Sequence, residues 1–328
     1  MTVAAAATAR DRALPASLAL ACCAAVALAA ALRAPLAAMV LGLMAFGVLH
    51  NVLELRYVAG RFADVLRGPL LLWSAAAVTG IAACRLLTLR TPEILLGYGV
   101  LAVGVWFAVP RRWLLPALAG LGVAAAVSLR WPAYHFVVLA HLHNVVPLFF
   151  LWEWSRRLPD RSRLVFRAVQ LGWVLAVPAL LLSGLLDGLL VRGSAAVTAF
   201  AGAPAALAAP VVPPGAEAGL RFLAAFAFLQ AMHYVVWLGF LPWQAPEAVA
   251  AFEARVPWLR GWRPWALGLG AAAVLGVLFV ADYLQGRAFY QAFASYHAYL
   301  EFPVLLALLF AAGSRRERSM STVGAADR

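Results

Sequence analysis

Ten stretches of mostly apolar residues follow one another along this chain, near 14–33, 36–57, 69–88, 93–110, 113–129, 132–154, 166–189, 219–242, 264–283 and 290–312. A helix rises ~1.5 Å per residue, so runs of about 20 residues match a hydrocarbon core of ~30 Å. Lipid offers no hydrogen bonds to an exposed backbone, which restricts spanning structure to helices and closed barrels, and runs of this length suit helices. The expected fold is therefore all-α: a polytopic transmembrane bundle of about ten spans, forming one domain over 1–313, with a polar tail at 314–328 expected to be disordered. Composition excludes an ordinary soluble domain, because 65% of the residues are hydrophobic and only 12% are charged, against about 25% charged in soluble domains.

The net charge of +12 is carried by 26 basic residues, all arginine. In a soluble protein this would suggest nucleic acid. Here the arginines lie between apolar runs, where they set orientation, so no nucleic-acid partner is expected and the lipid bilayer is. With the N-terminus in the cytoplasm, 19 of the 26 arginines fall on the inner side, which predicts that both termini are cytoplasmic. The absence of lysine and the abundance of alanine suggest a GC-rich bacterial genome, and hence a multi-pass protein of the bacterial inner (cytoplasmic) membrane. Arg10 and Arg12 before an apolar run could mark a signal peptide, but the spans that follow favour a first transmembrane helix. Cys22, Cys23 and Cys84 have no zinc-site spacing and read as packing residues. The Ala/Pro/Gly-rich stretch 190–218 reads as an external linker without a fold of its own. The loop 243–263, with Trp243, Trp258 and Trp262, reads as an interfacial helix.

The chemistry should lie where ionisable residues enter the spans. A charged group at the centre of a membrane helix costs about 2.5–3.5 kcal/mol on insertion scales, so such residues usually face a bundle interior. His50, His141, His143, His233 and His297 fall in the second, sixth, eighth and tenth spans at comparable depth, and these spans run in the same direction. Glu54 and Glu301 each follow a histidine by four residues, which places each His/Glu pair on one helix face. Imidazole and carboxylate donors projecting from facing helices suit iron, manganese or zinc. The candidate metal-site residues are therefore His50, Glu54, His141, His143, His233, His297 and Glu301. His141 and His143 lie about 200° apart on a helix, so only one of them can face a shared centre. The segment Leu-His-Asn-Val occurs at 49–52 and at 142–145, so Asn51 and Asn144, with Gln230, are candidates for orienting the ligands. Tyr234 and Tyr296, each next to a histidine, are candidate catalytic proton or electron donors. His135 reads as structural or as a supporting residue behind the ligands, and Glu153 as a surface ion-pair partner of Arg156 and Arg157.

Three functions fit this pattern. The first is a membrane oxidoreductase or oxygenase with mononuclear or di-iron non-haem iron, acting on a lipophilic substrate such as an isoprenoid or fatty chain with a quinone or other electron donor. The HxxxH and HxxHH boxes of standard desaturases are absent. The second is a haem b protein with histidine axial pairs, which leaves both glutamates unassigned. The third is a proton-coupled transporter, although no paired helix breaks mark two halves. The segment Gly47-Val48-Leu49-His50-Asn51-Val52-Leu53-Glu54 resembles the first motif of the Brp/Blh-type membrane β-carotene dioxygenases, with Glu where that family has Asp. The resemblance covers under a tenth of the chain. It implies a multi-span non-haem iron enzyme that cleaves carotenoids, with His50 and Glu54 at the iron site.

Overall fold

In the computed structural model, residues 3–191, 193 and 195–326 are described, with side chains described between 14 and 310. Among the described residues ten helices are long and apolar enough to cross a membrane: α1 Leu14–Arg33, α2 Pro35–Arg61, α3 Gly68–Leu86, α4 Arg90–Ala108, α5 Arg111–Arg130, α6 Pro132–Ser155, α7 Asp160–Ser183, α8 Gly219–Gln244, α9 Arg263–Ala281 and α10 Tyr283–Phe310. No strand occurs among them. The all-helical bundle and the number of spans agree with the sequence reading. The tail expected to be disordered, 314–328, lies outside the residues described with side chains.

Two spans, α7 and α10, depart most from the hydropathy reading, each for a local reason. α7 starts six residues earlier, at Asp160, so Arg161 and Arg163 belong to the helix. It ends at Ser183 because Gly184 takes a left-handed conformation (φ +85°), which a glycine adopts without steric cost. α10 starts at Tyr283, where Asp282 Oδ1 accepts the Gln285 backbone N–H at 3.0 Å and so caps the first turn.

Prolines interrupt three of the spans. In α6, Pro147 has no N–H to give the carbonyl of His143 four residues earlier, and the Val146 N–H takes that carbonyl in a tighter turn at 3.2 Å. In α7 and α8 the turns Gly172–Ala176 and Val235–Phe240 widen to π geometry just before Pro178 and Pro242. Such turns often accompany functional sites, and the one in α8 begins two residues after His233.

Helix α2 lies at the centre, packed against α8, α9 and α10. α1 and α7 cover α8, while α3 and α4 cover α10, and α5 lies outermost against α4 with only Ser128 buried. A short helix, Pro246–Arg255, packs under the end of α2. A helix is thus present in the 243–263 loop as expected, and Trp243, Trp258 and Trp262 beside it are exposed. The Gly261 backbone N–H and then Arg56, at 2.6 Å, hold the Glu253 carboxyl below its usual range. The contact of this helix with α2 requires a glycine: a Cβ on Gly60 would lie 2.0 Å from the Ala248 carbonyl oxygen. Gly60→Ala should therefore cost about 1–3 kcal/mol, the usual range for overpacking. An unchanged unfolding temperature in detergent would show that the two backbones are not in such close contact.

Two expectations are corrected. The 190–218 stretch is not an unstructured linker. It contains the helices Ala195–Ala201 and Pro204–Ala208, buries Val197, Leu207 and Val211, and packs on α2 and α10. Glu153 does not pair with Arg156 or Arg157. It binds Arg61 of α2, and Arg157 reaches Glu247 at 2.8 Å. In both cases tertiary packing overrides what local composition suggests.

Candidate metal centre

One histidine from each of α2, α6, α8 and α10 meets the others in the bundle interior. His50, His233 and His297 are 1–2% exposed, and one ring nitrogen of each, together with one of His143, lies within 4.8 Å of all the others. His297 Nε2 stands centrally, 3.3 Å from His50 Nε2 and 3.1 Å from His143 Nε2.

The protons on these rings can be assigned from their outer contacts. His50 Nδ1 lies 3.1 Å from the Phe46 carbonyl, which only accepts, so Nδ1 carries the hydrogen and Nε2 of the neutral ring presents a lone pair. His143 Nδ1 donates to Glu301 Oε2 at 3.0 Å, leaving its Nε2 a lone pair as well. Both lone pairs point at His297 Nε2, which has at most one hydrogen to offer. Neither nitrogen of His233 has a hydrogen-bond partner. Hydrogen bonds among neutral imidazoles cannot satisfy this arrangement, whereas a cation at the centre would. The two shortest separations, 3.1 and 3.3 Å, agree with this: metal–nitrogen bonds of ~2.1 Å put neighbouring ligand atoms ~3.0 Å apart at a right angle and ~3.4 Å apart in a tetrahedron.

The carboxylates stand behind the rings. Glu54 and Glu301 are 0% exposed. Glu301 accepts the outer N–H of His143, the position a carboxylate takes behind a histidine in metal sites. Glu54 Oε2 lies 3.7 Å from His233 Nε2, beyond hydrogen-bond range, and neither Glu54 oxygen has a partner. An unpaired buried carboxylate costs several kcal/mol. Glu301 is thus paired and Glu54 is not; the two carboxyl groups lie against each other beside four imidazoles and, when ionised, would supply the counter-charge of a divalent ion.

The structure sorts the remaining candidates. His141 is not part of the cluster: its Nε2 donates to the Val211 carbonyl at 2.9 Å and holds the 195–216 segment in place. Asn144 Nδ2 donates to Ala140 O one turn back, and Asn51 Oδ1 has no partner, so neither is bonded to a ring nitrogen. Gln230 acts one step removed, donating from Nε2 to Tyr234 Oη at 2.8 Å. Tyr234 packs on His50, with ring centroids 4.7 Å apart. Tyr296 is turned away and shares a hydrogen bond with Thr79 at 2.9 Å. His135 bonds Ser128 at 3.0 Å, a structural role as expected.

A cavity of about 1150 Å³ leads from the four histidines toward the end of the bundle opposite the Pro246–Arg255 helix. Its walls are largely apolar, including Met39, Leu43, Leu139, Leu223 and Phe226, and residues 204–214 roof it. Besides the His141 bond, the roof is held by Tyr134 Oη to Pro214 O (3.1 Å) and Arg287 to Leu207 O (3.3 Å). Tyr290, absent from the sequence-derived candidates, lines the cavity and packs so closely on α2 that a Cβ on Gly47 would lie 2.8 Å from its ring. Comparison with protein-family models, curated proteins and solved structures gives no match.

Proposed function

We propose that this protein is an integral-membrane, metal-dependent oxidoreductase that acts on a lipophilic substrate held in the cavity, with non-haem iron bound by His50, His143, His233 and His297. The observation that carries this reading is the convergence of imidazole lone pairs, with buried carboxylates behind them, at the closed end of a large apolar cavity. Imidazole donors suit iron, copper, nickel and zinc. Iron is preferred because it can supply one-electron and dioxygen chemistry to an apolar chain that offers no hydrolysable bond. The likeness of 47–54 to the carotenoid-cleaving family is in keeping with His50 and Glu54 at such a site.

The chain's own residues set the conditions for such a reaction. The Phe46 carbonyl and Glu301 fix the orientation of two ligands. Glu54 balances charge. Tyr234, resting on His50 and bonded to Gln230, offers a hydroxyl at the cavity wall where a proton could be delivered or taken up. The apolar walls keep bulk water from the reacting carbon. We place the protein in a bacterial cytoplasmic membrane with both termini inside, on the arginine asymmetry.

The haem reading is less well supported by the geometry, because axial histidines stand on opposite faces of a macrocycle, whereas these nitrogens approach one another to 3.1 and 3.3 Å. Metal analysis and an absorption spectrum of protein purified without chelators test the reading. The expected result is near-stoichiometric iron and no Soret band. A Soret band, or protein that takes up no metal after reconstitution, would overturn it.

A further inference from the structure

The far end of the cavity carries a charge imbalance that the metal centre does not explain. Among the described residues, four ionisable ones other than histidine and tyrosine line the cavity: Arg85, Arg90, Arg287 and Glu93. The single carboxylate is already committed. Glu93 Oε1 accepts from Arg85 Nε at 2.7 Å, and the same guanidinium donates from Nη1 to the Gln291 carbonyl at 2.9 Å. Arg90 and Arg287 have no carboxylate partner among the described residues. Arg287 donates only to the Leu207 carbonyl of the roof, in addition to its neighbour Tyr283. Thr88 adopts φ +57°, rare for a β-branched residue, in the turn that reverses the chain between α3 and α4 and brings Arg85 and Arg90 to the same rim.

We propose that this rim binds the oxyanion headgroup, carboxylate or phosphate, of a long-chain amphiphile whose apolar chain fills the cavity and reaches the four histidines. Two guanidinium groups without acid partners above apolar walls match a ligand that is anionic at one end and apolar along its length. Arginine is well suited to hold either oxyanion through paired N–H donors. The spacing agrees. Arg287 and His297 lie on the same helix ten residues apart, about 15 Å along its axis, so a headgroup at the rim places a mid-chain carbon at the metal centre. The cavity exceeds the ~300–1,000 Å³ usual for ligand pockets, which leaves room for such a chain. The proposal specifies the substrate class within the reading above, but the headgroup site itself rests on the arginines and can be tested without metal.

The test uses the full-length, metal-free protein in an uncharged detergent, with hexadecanoate, hexadecyl phosphate and hexadecanol as probes and native mass spectrometry to measure binding. At least one of the two oxyanions should bind about tenfold or more tightly than the alcohol, the scale of a hydrogen bond to a charged group. The tighter of the two identifies the headgroup. Arg90→Gln, which removes a side chain with no described contact, should lower the ratio of oxyanion to alcohol binding with alcohol binding unchanged, and adding Arg287→Gln should bring that ratio to about one, the ratio being used because loss of Arg287 also frees the roof at Leu207. Equal binding of alcohol and oxyanions by the wild type, or an undiminished oxyanion preference in the double variant, would overturn the proposal. Failure of the metal reading would appear separately, as wild-type protein that takes up no metal while still preferring oxyanions.

Discussion

His297→Ala is expected to empty the metal centre. Its Nε2 lies 3.1 and 3.3 Å from the nitrogens of His143 and His50, so removing this ring removes the donor around which the others are arranged. Loss of a residue that merely orients a ligand typically costs 10–100-fold in metal affinity, so loss of a central ligand should cost at least that, leaving less than about a tenth of the wild-type metal after purification. His141→Ala provides the contrast. It removes a histidine from the same helix as His143, but the bond it loses is to Val211 in the roof. It should retain full metal and lose on the order of 1 kcal/mol of local stability, seen as faster hydrogen exchange in residues 195–216. Equal metal contents in the two variants would contradict the assignment of the centre to these four rings.

The contrast between His141 and His143 marks how far the sequence could be read. Helical geometry showed that only one of them could face a shared site, and the count of alternating spans made those carrying histidine parallel. Which face of α6 points inward depends on how α6 packs against α8, and the local sequence does not encode this strongly. Adjacency in the chain misled where helical phase was needed. Tyr296 is next to His297 but about 100° around the helix, and it bonds Thr79 on another face. Tyr290, seven residues earlier and almost in phase with His297, is the tyrosine that lines the cavity. The repeated Leu-His-Asn-Val also overstated the asparagines. An amide within an apolar helix can satisfy itself on its own backbone, as Asn144 does on Ala140. The 190–218 segment was obscured for a different reason: its Ala- and Pro-rich composition suits a linker, and only contacts with Tyr134, His141 and Arg287 far along the chain reveal it as a roof.

Substituting the two buried glutamates should give effects of different character, because the structure gives them different work. Glu301 accepts the outer N–H of His143, and Glu301→Gln keeps an oxygen that can still accept it while removing the charge that strengthens the bond. A loss of about 10–100-fold in metal affinity is expected, with little change in the metal-free fold. Glu54 has no hydrogen-bond partner on either oxygen, so its contribution is its charge beside the bound ion. At an effective dielectric of about 20, one unit charge about 4 Å from another is worth on the order of 4 kcal/mol, so Glu54→Gln should weaken a divalent ion by a factor of a hundred or more. The same change relieves the burial of a carboxyl group crowded against Glu301, so the metal-free variant should unfold at a higher temperature than the wild type. Metal titration and thermal unfolding of the metal-free proteins therefore move in opposite directions for Glu54→Gln. A haem centre held by the same histidines would keep its cofactor in both variants. Wild-type metal affinity in Glu54→Gln would remove the carboxylate from the charge balance and leave the imidazoles alone to hold the ion.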